Sequence, residues 1–317
     1  MLVLNARDIE ACAGPGDLVA AVEQAFLVQE DGAYTMPDRM HVEHGDNVLL
    51  AMPAFAGDHF ATKLVSVFPG QTPAVQGALL LNDGTTGRPL ALLEGAALTA
   101  LRTGAVSGLG IAWTTPAEAT TLGLVGAGTQ GFQQVLFACH VRPIDRVRVW
   151  DPFHADLPGF LDRIRKRLPD VEFEAANDDR DLVASSQVVI TATTSDTPVV
   201  PDDPALLAGR SYVGVGSYRP TMREFPDGLI GLLDMLVVDT DRARSEAGDV
   251  RIPLESGLLA ADRTFRLGQL MNGDTRLDEH GTTLFKSVGM ALCDLMVAEM
   301  IHRRALAADV GTEIAFP

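Results

Sequence analysis

Residues 121–151, TLGLVGAGTQGFQQVLFACHVRPIDRVRVWD, decide the fold. An apolar stretch over 121–125 runs into Gly126-Ala127-Gly128-Thr129-Gln130-Gly131, then into a segment of helical spacing through Val135 to Cys139. A second apolar stretch ends at Asp151, 25 residues beyond Gly126. In such a strand–turn–helix Gly126 permits the tight turn, Gly128 lets a pyrophosphate approach the backbone, and Gly131 allows close helix–strand packing. The helix N-terminus offers free N–H groups and the positive end of its dipole to phosphate. Asp151 stands where a carboxylate accepts hydrogen bonds from the adenosine ribose and repels a 2′-phosphate. The stretch predicts a nicotinamide dinucleotide site with NAD as cofactor, and the loop Pro152-Phe153-His154 leaves room for NADP.

Beyond this stretch, the segments VEFEA, SQVVITATT, SYVGVGS and MLVVDT alternate with helical ones until about Asp241. Near-continuous apolar strands separated by helices predict a parallel sheet covered on both faces. Upstream the texture differs. A helix is expected over 17–30 with Asp17 as its N-cap, then a hairpin over 39–53 around His44-Gly45-Asp46-Asn47. A strand over 59–68, two more over 75–93 around the turn from Asn82 to Gly87, and a helix over 95–113 follow. Thr114-Thr115-Pro116 reads as a linker, and residues 283–301 as one long amphipathic helix returning to the first domain. The expected fold class is α/β. A Rossmann doubly wound parallel sheet (114–279) is inserted into an α+β substrate and dimerisation domain (1–113 plus 280–317).

Composition narrows the function. The chain has 317 residues, 25 Lys+Arg against 42 Asp+Glu, and a formal charge of −17. A hydrophobic share of 47% describes a folded chain of about two domains. The acidic balance argues against nucleic acid, which needs a basic face to displace counterions, and against a basic membrane patch. No apolar run approaches the roughly 18–20 residues of a spanning helix. The leading MLVL is too short for a signal-peptide core. Cys12, Cys139 and Cys293 form neither a disulfide framework nor a close metal-ligand spacing. His41, His44 and His59 have no zinc-like partners in sequence, so no metal is expected. Arg163, Arg165, Lys166 and Arg167 read as a solvated helix face. A cytoplasmic protein without a membrane partner is expected.

Two cations point into apolar surroundings. Lys63 shares a strand face with Ala61, Val65 and Val67, and Arg102 a helix face with Leu98, Ala105, Val106 and Leu109. Arg39, after Met36-Pro37-Asp38, is a third candidate. Each either reaches solvent, pairs with an internal carboxylate such as Glu43 or Glu94, or meets a ligand carboxylate. Arg102 offers a bidentate fork, and Lys63 a mobile charge able to donate a proton.

The blocks ATKLVSVFPG, LNDGTTGRPLALLEG, LTALRTGAVSG, GLVGAGTQG, ITATT and TLFKSVGMALCD occur in this order. Together they resemble the ornithine cyclodeaminase/mu-crystallin family over roughly residues 36–296. The resemblance implies a homodimer formed through the first domain's sheet, and a substrate carboxylate gripped by Arg39, Lys63 and Arg102. It implies that Thr103, Thr129, Gln130, Asp151, Thr193, Gly216 and Ser287 lie along the cofactor. Cyclodeaminases carry an aspartate, in a Gly-Asp context, where this chain has Gly216-Ser217. They carry a further acidic residue where it has Leu50 or Ala51. The form Gly-Ser-x-x-Pro-x-Met-Arg-Glu over 216–224 looks like the branch that reduces cyclic ketimines, Δ1-pyrroline-2-carboxylate and Δ1-piperideine-2-carboxylate. Arg219 matches an Arg-Pro pair of that branch. Ser217 either hydrogen-bonds the ring nitrogen or the nicotinamide amide, or caps its own turn. Glu224 is expected to cap locally, to pair with Arg223, or to orient Arg219. The alternatives are ornithine cyclodeamination, an alanine-type amino-acid dehydrogenase, and a binding protein without turnover.

Overall fold

The computed structural model describes residues 1–71, 73–275, 277 and 281–315. In chain order the first elements are β1 (Leu2–Leu4), α1 (Ala6–Cys12), α2 (Pro15–Asp31), β2 (Tyr34–Thr35), β3 (Met40–His44), β4 (Asn47–Ala56), β5 (His59–Val67), β6 (Val75–Asp83), β7 (Pro89–Glu94) and α3 (Gly95–Thr114). Next come β8 (Thr121–Val125), α4 (Thr129–Val141), β9 (Arg146–Trp150), α5 (Leu157–Arg167), β10 (Glu172–Ala175), α6 (Asp179–Ala184), β11 (Val188–Thr191), α7 (Pro204–Leu207) and β12 (Ser211–Gly214). The last are α8 (Asp227–Leu232), β13 (Met235–Val238), α9 (Ala243–Glu246), α10 (Gly248–Ser256), β14 (Thr264–Arg266), α11 (Leu267–Met271), β15 (Thr283–Lys286), α12 (Ala291–Ala308) and β16 (Thr312–Glu313).

Two compact units result, Met1–Ala105 with Met290–Pro317, and Val106–Gly289. The first holds a sheet of order β16-β1-β7-β6-β5-β4-β2, with β3 paired to β4. Period-two alternation gives it one buried face, with Met52, Ala54, Ala61, Lys63, Val65, Leu79, Leu81, Ala91 and Leu93. Helix α12 crosses that face and packs on α2. The other face shows Leu49, Phe55 and Leu64, each at least 41% exposed. Gly14, not Asp17, caps α2, because Pro15 at the first helical position needs no N–H acceptor; Asp17 instead receives Arg304.

The second unit holds an all-parallel sheet of order β10-β9-β8-β11-β12-β15-β13-β14. The chain order reverses at β8/β11, as in a doubly wound fold. The strand pattern continues past Asp241 through β14 and β15. Residues 283–286 are therefore a central strand and not the start of a helix. Thr283, Leu284, Phe285 and Lys286 are all buried, paired to β12 on one side and β13 on the other. Thr114 and Thr115 are no linker either. The Thr114 carbonyl accepts the Ser211 and Thr283 hydroxyls, and Arg142 holds the Ala112 and Thr115 carbonyls. The unit division accordingly falls inside α3 rather than at 113/114. The expected boundary at 279/280 lies outside the described residues. Arg163, Arg165, Lys166 and Arg167 are exposed on α5. Among the described residues no single helix is long and apolar enough to cross a membrane.

Gly110 on α3 meets the buried Phe285 ring, where a Cβ would stand 2.2 Å from the nearest ring carbon. Gly110→Ala should lower stability by about 1–2 kcal/mol, the overpacking cost less the gain in helix propensity. The midpoint of urea unfolding reads this directly, and an unchanged or raised midpoint would contradict the packing described.

Candidate active site

Two clusters carry the chemistry, one in each unit. In the second unit, Gly126 adopts φ +101°, open to glycine at little cost, and turns β8 into α4. A Cβ on Gly131 would stand 2.0 Å from the Gly126 carbonyl oxygen, so this helix sits against this turn only with glycine there. No atom lies within 4 Å of a Cβ built on Gly128, and no side chain caps α4. The turn thus presents open space over an uncapped helix start, which suits an anionic diphosphate. Thr129 and Gln130 form the first turn of α4. Asp151 Oδ2 accepts Ala127 N at 2.8 Å and its Oδ1 accepts Phe153 N at 3.1 Å, tying the carboxylate to the glycine turn.

A cleft of about 700 Å³ opens here, lined by Gly126, Gly128, Asp151, Phe153 and Thr193 among others. Its size is in the range of a cofactor site. Gly216 lies beside Thr193: a Cβ on it would stand 2.0 Å from the Thr193 carbonyl oxygen. Two expected site residues point elsewhere. Ser217 is fully buried and its hydroxyl donates to the Met222 carbonyl at 2.8 Å, so it closes its own turn instead of facing a ligand. Ser287 is buried and donates to Asp239 Oδ2 at 2.7 Å, where Val288 N and Gly289 N also converge. That geometry shapes the turn after β15. Arg219 is half-buried with its guanidinium 5.4 Å from the Tyr218 ring centroid.

Glu224 caps loop donors rather than pairing with an arginine. It pairs with neither Arg223, which reaches Asp227, nor Arg219. Its carboxylate is 0% exposed and accepts Thr193 N, the Thr193 hydroxyl, Gly216 N and Ser217 N at 2.8–3.1 Å.

In the first unit, Lys63 and Arg102 are 1% and 6% exposed, so neither reaches solvent. Both meet one internal carboxylate, Asp294 of α12, itself 1% exposed. Lys63 Nζ lies 2.8 Å from it and Arg102 Nε 2.9 Å. The expected partners are engaged otherwise: Glu94 accepts Ala96 N and Ala97 N at the start of α3, and Glu43 stands exposed near His41. Two buried cations against one carboxylate leave one positive charge in excess among these three groups. Burial, followed by the Arg102 guanidinium and then Arg39, lowers the Lys63 ammonium to about 8 against the opposing pull of Asp294. Arg39, half-buried just before β3, is thus within electrostatic reach of Lys63. Thr103 follows Arg102 on α3 and is half-buried.

Sequence reasoning assigned no role to Asp294, and for Glu224 only the capping alternative matches the structure, not the pairing with Arg223 or Arg219. For Asp294 a signal existed: a lone carboxylate among Ala291, Leu292, Leu295 and Ala298, opposite a lysine on an apolar strand. No group of three or more His, Cys, Asp or Glu placed to hold a metal occurs among the described residues.

Comparison with known proteins places the chain among its relatives. A Δ1-pyrroline-2-carboxylate reductase of Bacillus cereus is 33% identical over 85% of this chain and 85% of its own. The structure of Thermococcus litoralis Δ1-pyrroline-2-carboxylate reductase, in complex with NADH and L-proline, superposes with a TM-score of 0.93 at 31% identity, covering 99% of this chain and 100% of that one. An archaeal alanine dehydrogenase dimer with bound NAD gives 0.92 at 26% identity, over 100% and 99%. The ornithine cyclodeaminase/mu-crystallin family profile matches residues 1–309, and the chain belongs to that family.

Proposed function

We propose that this protein is an NAD(P)-dependent oxidoreductase that reduces cyclic ketimino acids, Δ1-pyrroline-2-carboxylate to L-proline and Δ1-piperideine-2-carboxylate to L-pipecolate. The observation that carries the reading is the buried cation excess at Lys63 and Arg102, whose deficit of one negative charge a substrate carboxylate makes good. Arg102 presents a planar fork to that carboxylate, and Arg39 adds positive potential. Lys63 holds a proton near neutrality and gives it to the ring nitrogen as the C=N pair moves there. The cofactor, held by Gly126, Gly128, Gly131, Thr129, Gln130, Asp151 and Thr193, supplies the hydride that adds to the imine carbon. NADH is the expected form because Asp151 sets a negative charge beside the ribose.

Cyclodeamination is the weaker reading, since it needs a free carboxylate for the substrate amine. Ser217 supplies none, and the neighbouring Glu224 is occupied by four donors. A homodimer through the outer face of the first sheet, and a cytoplasmic location, complete the proposal. The exposed Leu49, Phe55 and Leu64 support the first, because apolar area of this kind is stable when a second copy covers it. The cysteines Cys12, Cys139 and Cys293, which form no disulfide among the described residues, suit a reducing compartment.

The test is imine-dependent NADH oxidation. Lys63→Ala should lower kcat/KM by about a hundredfold or more, and Arg102→Lys, which loses the fork, should raise KM roughly tenfold. Because the lysine must be protonated, kcat/KM should be flat below about 8 and fall as the pH rises through it. Retention of activity in Lys63→Ala would remove the site. Light scattering should give twice the chain mass of 33.8 kDa. Leu64→Asp should shift that toward one chain, whereas a wild-type monomer would overturn the dimer.

A further inference from the structure

In the second unit three fully buried ionic groups lie together and take no part in the chemistry above. Lys286 Nζ stands 3.6 Å from Glu224 Oε2 and 3.5 Å from Asp249 Oδ2, and all three residues are 0% exposed. Asp249 Oδ1 accepts Glu224 N and Phe225 N, fixing the backbone from which the Glu224 carboxylate projects. Oε1 of that carboxylate receives both donors of Thr193, and Oε2 receives Gly216 N and Ser217 N. Such a charge is costly to bury unless its acceptor sites are filled. Here they are filled by two loops that leave different strands. Thr193 follows β11 and lines the cleft; Gly216 and Ser217 follow β12, one strand farther from the β8/β11 reversal. In a doubly wound sheet the dinucleotide's second half lies on that side, across the reversal from Asp151.

We propose that Glu224 is a positioning residue for the nicotinamide half of the site: its carboxylate, backed by Lys286 and Asp249, fixes the Gly216–Ser217 turn against the Thr193 loop before the cofactor arrives. The proposal rests on the cofactor reading of the cleft. The 193–199 loop keeps other ties, Arg223 N to the Ser195 carbonyl and Val199 N to the Glu224 carbonyl, so loss of the side chain falls chiefly on the 216–217 turn. A glutamine at 224 keeps one acceptor oxygen but turns an amide against N–H donors, breaking half of the set.

The experiment compares binding of NADH with that of ADP-ribose, which lacks the nicotinamide, in wild type and Glu224→Gln. NADH affinity should fall about tenfold or more and ADP-ribose affinity by less than about threefold, as expected for lost hydrogen bonds to a charged group. Equal losses for both ligands, or none, would overturn the proposal. A wild type that binds neither ligand would overturn the cofactor reading and this inference with it. Should Glu224→Gln fail to fold, hydrogen exchange in the wild type decides. The Thr193, Gly216 and Ser217 amides should be protected without cofactor, and exchange at open-loop rates until NADH binds would contradict prior positioning.

Discussion

Burying charge beneath a sheet is costly, and Asp294 is the group through which the first unit meets that cost. Without it, Lys63 and Arg102 would be two like charges in an apolar layer. With it, both are held in place while the trio still lacks one negative charge. That residual deficit is the basis of the proposed anion receptor. Burial and Arg102 lower the lysine's pKa to about 8 while Asp294 opposes them. The same ion cluster thus underlies both parts of the proposal, the anionic ligand and the proton donor.

The second unit solves a related problem differently. Its turn at Gly126 offers backbone groups and open space, and the carboxylate of Asp151 is tied to that turn through Ala127 N. Farther along the sheet, Glu224 is held by four hydrogen-bond donors, with Lys286 3.6 Å away and shared with Asp249. The contrast matters for reaction class. A carboxylate already bound on all sides cannot take up a substrate amine, so the acidic residue closest to the position of the cyclodeaminase aspartate is a structural one here.

Much of this was legible before any coordinates. The glycine turn, its flanking strands and Asp151 follow from spacing, because backbone sterics at Gly126 and Gly131 are local. Lys63 and Arg102 were placed on buried faces by periods of 2 and 3.6. The apolar neighbours of Asp294 marked it as a buried carboxylate, but its pairing was not legible, since it is 231 residues from Lys63 and meets it through the crossing of α12 over the sheet. The segment 283–301 misled for a different reason. Gly289, three residues after TLFK and at φ +77°, breaks the segment, and a short apolar run reads equally as buried strand or helix until a sheet claims it. Ser217 and Glu224 sit in a turn whose polar groups satisfy one another, a three-dimensional outcome that residue types alone leave open.

The central claim is that this site reduces a cyclic imine and does not cyclise a diamino acid. The most direct measurement is the stoichiometry of the reaction. With Δ1-pyrroline-2-carboxylate, one NADH should be consumed for each L-proline formed, while L-ornithine with NAD should release no ammonia. Ammonia and proline from ornithine without net change in NADH would contradict the account.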